Sequence, residues 1–276
     1  MGERLALIAG SGALVPEVIA AALERGHVLR LLTLSRRRDL RRFDPVPFTL
    51  ADPAVAVDAI RSFNATAFVM AGGVSISDIA RERLARFFRG GDRGGAASVG
   101  DAGLSGLASD LARLTGARPM GVHEIAPELL TPSGHLAGPA PSQAQADAAA
   151  YGLRLAHSAG ALDLGQAVVV AGRRAVAAED IAGTDALLAR VRRFRRLGLA
   201  ADGQSPLVLA KCAKPGQPHY VDLPAIGPVT IAGARRAGIG VIALEAGATI
   251  LIQKSTLLAA ADAAGITLLG LAVPDA

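Results

Sequence analysis

Apolar runs and glycine stops alternate along this chain in a rhythm that predicts strands and helices in turn. Arg4 to Ala9 is almost wholly apolar and reads as a buried strand. Gly10-Ser11-Gly12 follows, and Pro16 opens a helix of Ala, Val, Ile and Leu that ends near Gly26, as a proline in the first turn and a glycine past the last would have it. His27 to Leu34 is the next strand, which makes a βαβ unit with its glycine turn at the carboxyl end of the first strand. Further on, Asp52 to Phe63 reads as a helix capped by Asp52, Thr66 to Ala71 as a strand closed by Gly72-Gly73, and Ser75 to Phe88 as a helix. Arg89 to Gly106, rich in Gly and Asp, reads as a loop, Leu107 to Thr115 as a helix and Arg118 to Val122 as a strand.

Proline, glycine and serine dominate Thr131 to Ser142, which reads as a linker. Beyond it the alternation resumes. An Ala-rich helix runs from Gln143 to about Ala159, and a strand pair turns around Gly172. Gly183-Thr184-Asp185 caps a helix with Leu187, Leu188, Val191 and Phe194 on one face and Arg190, Arg192, Arg193, Arg195 and Arg196 elsewhere. Leu207 to Cys212 is a strand, Thr230 to Ala237 a helix, Val241 to Glu245 and Thr249 to Ile252 short strands, Ser255 to Ala264 a helix and Thr267 to Val273 a last strand. The expected class is α/β in two domains: a Rossmann-like parallel-sheet domain over 1–130, a linker over 131–142, and a mixed α/β domain over 143–276 that carries the main catalytic motif.

Composition narrows the picture. Hydrophobic types make up 51% of the chain but aromatics only 3%, so the cores are built from Ala, Val, Leu and Ile. The net charge of +5 favours anionic partners: phosphorylated small molecules or an anionic membrane surface. Nucleic acid is not expected, because stacking aromatics are scarce and no nucleic-acid motif occurs. With Cys212 the sole cysteine, an intrachain disulfide and a thiolate zinc cluster are excluded, which fits a reducing cytoplasm. Residues 5 to 23 are mostly apolar, but Gly10-Ser11-Gly12 and Pro16-Glu17 interrupt them, so they read as strand, turn and helix rather than a leader. No other stretch is long and apolar enough to span a bilayer, so any membrane contact is peripheral.

Two places can carry chemistry. Gly10-Ser11-Gly12 lies between a strand and a helix, where free N–H groups and the helix dipole favour a phosphate. Val15 stands where a dinucleotide fingerprint has its third glycine, so the turn is either a ligand contact or a plain βα turn. Gly72-Gly73, at an equivalent strand end, should face the same crevice. The second place is KCAKPGQPHYVDLPAIGPVT, residues 211–230. Here Lys211, Lys214, Gln217, His219 and Asp222 are punctuated by Pro215, Pro218, Pro224 and Pro228, which fix an irregular path. Two ammonium groups can hold phosphoryl oxygens, and a carboxylate can bind a divalent cation or orient water. Glu179, Asp185 and Glu245 end apolar runs and can join them. The plain alternatives are a solvated loop, an ordinary cap at Thr184-Asp185 and a strand-end charge at Glu245. The histidines lack zinc spacing. The arginine clusters at 36–42 and 190–196 are solvated faces or attract anionic headgroups.

IAGSGALVP (8–16), MAGGV (70–74), GQAVVV (165–170), AEDIAGTDALL (178–188), the long 211–230 motif and ALEAG (243–247) resemble, in order and over nearly the whole chain, the LpxI family of UDP-2,3-diacylglucosamine pyrophosphatases of lipid A biosynthesis. The resemblance implies two domains with the ligand between them and a divalent metal, usually Mg2+. It implies hydrolysis to UMP and 2,3-diacylglucosamine 1-phosphate (lipid X), with water attacking the α-phosphorus. Asp222 would be catalytic and bind the metal, with Lys211 and Lys214 beside it. Gly10, Ser11, Gly12, Gly72, Gly73, Gln166, Glu179, Thr184, Asp185, Gln217, Thr230 and Glu245 would bind substrate. A cytoplasmic protein, peripheral on the anionic inner-membrane surface, follows, and a homodimer is compatible with it. This chain departs from the family at Pro218, where relatives commonly carry Asp, at Ser75-Ile76 and at Gly100-Asp101-Ala102. A glycolipid-binding homologue with weakened catalysis and a nucleotide-dependent oxidoreductase are the alternatives.

Overall fold

The structure is a computed structural model and describes residues 2–34, 36–74, 84, 87, 101–200 and 206–273. The chain divides into two compact units, Met1–Glu128 with Gln217–Asp222, and Leu129–Gly216 with Leu223–Ala276.

In the first unit the apolar runs become strands β1 (Arg4–Ala9), β2 (Val28–Thr33), β3 (Val46–Pro47), β4 (Ala67–Ala71) and β5 (Arg118–Met120). All pair in parallel, in the order β3-β2-β1-β4-β5. Helices α1 (Leu14–Glu24), α2 (Ala54–Ser62), α3 (Asp101–Thr115) and the short α4 (Val122–Ile125) connect them. Leu5 to Ala9 are buried on both faces of the sheet, which is why the run is continuous rather than alternating. The strand order reverses between β1 and β4, so a crevice is expected at their carboxyl ends.

The second unit is a six-stranded sheet, β6-β13-β11-β9-β7-β8. Its strands are β6 (Gly134–Ala137), β7 (Ala167–Ala171), β8 (Arg174–Ala178), β9 (Leu207–Lys211), β11 (Val241–Glu245) and β13 (Thr267–Leu271). The central β9, β11 and β13 are parallel, and β6, β7 and β8 run antiparallel to their neighbours. A small parallel pair, β10 (Ala225–Ile226) and β12 (Ile250–Leu251), lies apart. Side chains alternate across β9: Val208 and Ala210 pack with Ala149 and Leu153 of α5 (Gln143–Ala161). Leu207 and Leu209 pack with α6 (Gly183–Arg196), α7 (Pro228–Ala237) and α8 (Lys254–Ala264) on the other face. The period-two alternation puts Lys211 on the α6 side.

Several expectations change. The segment expected as a linker contains β6, which pairs with β13 some 130 positions later in the chain (Leu268 opposite Ala137), a partner invisible to local composition. Asp52 does not cap α2. Pro53 occupies that position, and the Asp52 N–H bonds back to the Thr49 carbonyl at 3.0 Å. Asp101 to Gly106 are the first turns of α3 rather than loop. A 3₁₀ turn at Arg38–Phe43 and the two-residue β3 had no pattern long enough to announce them. The helix expected over 75–88, apart from residues 84 and 87, and the loop expected over 89–100 lie outside the described residues, as do Ser75-Ile76 and Gly100 of the family departures.

Candidate active-site residues

At the carboxyl end of β9 the sheet delivers a lysine into a protein interior. Lys211 is only 7% exposed. Its Nζ donates to Thr184 Oγ1 at 2.8 Å, and that hydroxyl donates to Glu179 Oε1 at 2.6 Å. The second carboxylate oxygen, Oε2, accepts the Gln166 N–H at 3.0 Å. A buried ammonium needs a partner, and here Thr184 links it to the Glu179 carboxylate. The geometry follows from the fold. Ala167 pairs with Lys211 across β9–β7, and Glu179 closes β8 beside Ala167. Thr184 and Asp185 sit in the first turn of α6, whose N-cap is Ala182, so neither caps the helix as expected. Thr184 is occupied by the network instead. Asp185 is exposed on α6.

The chain beyond β9 is shaped by further bonds. Glu245, ending the neighbouring strand β11, accepts the Ala213 N–H at 2.8 Å. Cys212, between them, is fully buried, and burial together with the Glu245 charge pushes its thiol up to about 12. Lys214 pairs with Asp163 at 2.6 Å. Thr230 accepts the Gly227 N–H at 3.4 Å and so closes the start of α7. Lys211, Thr184, Glu179 and Gln166 thus meet, whereas Glu245, Lys214 and Thr230 make separate contacts. Asp163 was missed by sequence reasoning. Its signal is slight: a left-handed residue (φ 57°) in the turn after α5.

In the first unit the two glycine turns meet each other. The Gly10 N–H bonds to Ala71 O at 2.8 Å, Ser11 N–H to Gly73 O at 2.8 Å and Gly73 N–H to Ser11 O at 2.9 Å. A Cβ on Gly10 would lie 2.5 Å from Gly73 O, and one on Gly72 (φ +89°) 2.4 Å from Ser11 O. Close approach of two backbones therefore accounts for these glycines. Ser11 N–H, expected to be free for phosphate, is already bonded. Arg37 braces the turn, donating to Gly10 O at 2.7 Å and Gly12 O at 3.2 Å and pairing with Asp39 at 2.6 Å. That corrects the reading of Arg37 as part of a solvated face. The pair holds the Asp39 carboxyl below its ordinary range.

Residues Gln217–Asp222 of the long motif pack in the first unit. The Val221 N–H bonds to Pro218 O at 2.9 Å, and Tyr220 and Val221 lie against the core that holds Phe68 and Ile60. Among the described residues, both side-chain amide atoms of Gln217 and Nδ1 of His123 are buried without a hydrogen-bond partner. The His123 and His219 rings meet edge to face at 5.7 Å. Burial, and to a lesser degree His219, push His123 below its usual range against the opposing pull of Glu124. Asp222 is exposed. Among the described residues no three His, Cys, Asp or Glu side chains come together as a ready-made metal cage. No helix of the described residues is long and apolar enough to cross a membrane.

Comparison with known proteins now adds to these observations. A family model described as the LpxI N-terminal domain matches residues 4–129, and one described as the LpxI C-terminal domain matches 132–269. The chain is 32% identical over 283 aligned positions to "UDP-2,3-diacylglucosamine pyrophosphatase LpxI" of Caulobacter vibrioides, covering 97% of each protein. Likeness of that extent across both units means that this chain belongs to the LpxI family.

Proposed function

We propose that the chain hydrolyses UDP-2,3-diacylglucosamine to UMP and 2,3-diacylglucosamine 1-phosphate. The observation that carries this reading is the likeness, over 97% of the chain, to a protein named for that activity. In the proposed step, water oxygen bonds to the α-phosphorus and the bond from that phosphorus to the bridging oxygen breaks. The bridging oxygen and its electron pair leave with the β-phosphate, and the water's proton passes to solvent.

The residues supply what the step needs. Negative charge builds on the phosphoryl oxygens, and fixed donors in a low-dielectric site stabilise it most. Lys211 fits: it is buried, held by Thr184, and has ammonium N–H groups beyond the one that bond uses. Glu179 and Gln166 hold Thr184 and the strand end in place. Lys214 adds a second cation, and the buried amide of Gln217, without a partner among the described residues, offers a donor and acceptor for substrate. Asp222 would hold a magnesium ion together with substrate phosphate oxygens. The donor set fits, because magnesium keeps most of its waters and commonly uses one or two carboxylates plus phosphates rather than a protein cage. When bound, it supplies neutralisation of charge at the phosphates. Asp222 is the acidic group of 217–222.

The test is UMP release with magnesium in oxygen-18 water. Wild type is expected to turn over and to place the label in UMP, and Asp222→Ala to lose turnover. Label in the lipid product would reverse the site of attack. Full turnover by Asp222→Ala would remove that residue, and no turnover by wild type with any divalent metal would end the proposal.

A further inference from the structure

Helices α6 and α7 pack side by side on the outside of the second sheet. Gly233 lets them approach: a Cβ there would lie 2.9 Å from Leu188 Cδ1. Between them runs an open groove with a volume of about 390 Å³. Its lining from α6 is Asp185, Leu188, Ala189, Arg192, Arg193 and Arg196, one helical stripe. Its lining from α7 is Val229, Gly233 and Arg236, again one stripe. The lining joins aliphatic Leu188, Ala189 and Val229 to four guanidinium groups. All four arginines are exposed, and none forms an ion pair among the described residues.

Arginines in the last turns of helices complement the helix dipole. That accounts for the positions of Arg193, Arg196 and Arg236 along their helices but not for both helices turning arginines into one groove. Nor does it account for the aliphatic side chains around it. Val229, which lines it, is 66% exposed. A pocket for a small phosphate compound would enclose its apolar walls. Here they stand open beside the charges, on an outer helical layer, with Asp185 confining the positive field to the carboxyl-terminal half.

We propose that this groove is the surface by which the chain docks on an anionic lipid bilayer, with Arg192, Arg193, Arg196 and Arg236 meeting headgroup phosphates and Val229 entering the interface. Guanidinium forks match phosphate oxygens, and aliphatic side chains add apolar burial. The inference does not depend on the hydrolytic reading.

The experiment is co-sedimentation of the full chain with vesicles of phosphatidylcholine containing phosphatidylglycerol, and with pure phosphatidylcholine vesicles. Wild type is expected to bind the mixed vesicles, to lose binding as salt rises, and to leave the pure ones in solution. Each Arg→Gln should weaken binding roughly fivefold, and the four together several-hundredfold. Arg38→Gln, Arg41→Gln and Arg42→Gln together, on exposed arginines of the first unit, should bind as wild type. Val229→Ser should weaken binding without changing its salt dependence. Circular dichroism and gel filtration check whether each variant is folded and in the wild-type oligomeric state. Undiminished binding by the quadruple variant, equal binding to both vesicle types, full displacement by millimolar inorganic phosphate, or a change of oligomeric state in the quadruple variant would each overturn the proposal.

Discussion

Helix α6 carries two polar regions built on opposite terms. In its first turn Thr184 lies in a chain of short hydrogen bonds that joins a buried lysine to a carboxylate. Along its outer stripe the arginines stand in solvent without ion pairs among the described residues. A buried polar group costs stability unless its partners are present, so the first region is fixed in geometry and expensive to alter. A solvated guanidinium costs little, so the second can be changed with small effect on the fold. The difference separates a region able to stabilise charge at a reacting centre from one suited to long-range attraction.

The largest expected effect is on chemistry at the buried end. Lys211→Met keeps an unbranched apolar stem one atom shorter and removes the donors, and UMP release should fall by about 10²–10³-fold. Next comes Thr184→Val, similar in shape but unable to bridge. It leaves Lys211 and Glu179 without their shared partner and should lower stability by about 1–3 kcal/mol in urea unfolding. The four arginine-to-glutamine changes should move the urea midpoint far less than Thr184→Val does. If they destabilise as much, the contrast between the two sides of α6 fails.

Two titrations sharpen it further. The neutral form of His123 is favoured in the folded state, so its contribution to stability is present above pH 6.5 and is lost as pH falls below that value. Wild type should therefore lose more stability than His123→Gln between pH 7 and 5 in paired unfolding curves, the loss beginning near the histidine's ordinary pKa. Equal slopes would mean that burial of the ring carries no penalty. Cys212 should be the smallest effect. Its thiol, pushed up to about 12, stays protonated at neutral pH and should resist alkylation until the chain unfolds.

Much of the architecture was legible in sequence because its signals are local. Apolar runs ended by glycine marked β1, β4 and β7, and Pro16 marked the first turn of α1. What escaped depends on partners distant in sequence. The strand β6 looked like a linker because its pairing partner is β13. Arg37 looked like one of a solvated cluster because the carbonyls it braces, Gly10 and Gly12, lie more than twenty positions away. For the site, sequence named Lys211, Thr184 and Glu179 separately but not the bonds joining them, since that juxtaposition arises from the β9–β7–β8 register. Glycines 10, 72 and 73 were noticed for phosphate binding. Their mutual approach explains why no Cβ is tolerated at Gly10 and Gly72.

The most direct test of the account is UMP release from UDP-2,3-diacylglucosamine with magnesium, measured on substrate dispersed in detergent and on substrate held in anionic vesicles. Wild type should turn over both. Lys211→Met should lose both, and the quadruple arginine variant should lose only the vesicle-borne substrate. Turnover of the detergent-dispersed substrate by Lys211→Met at the wild-type rate would contradict the account.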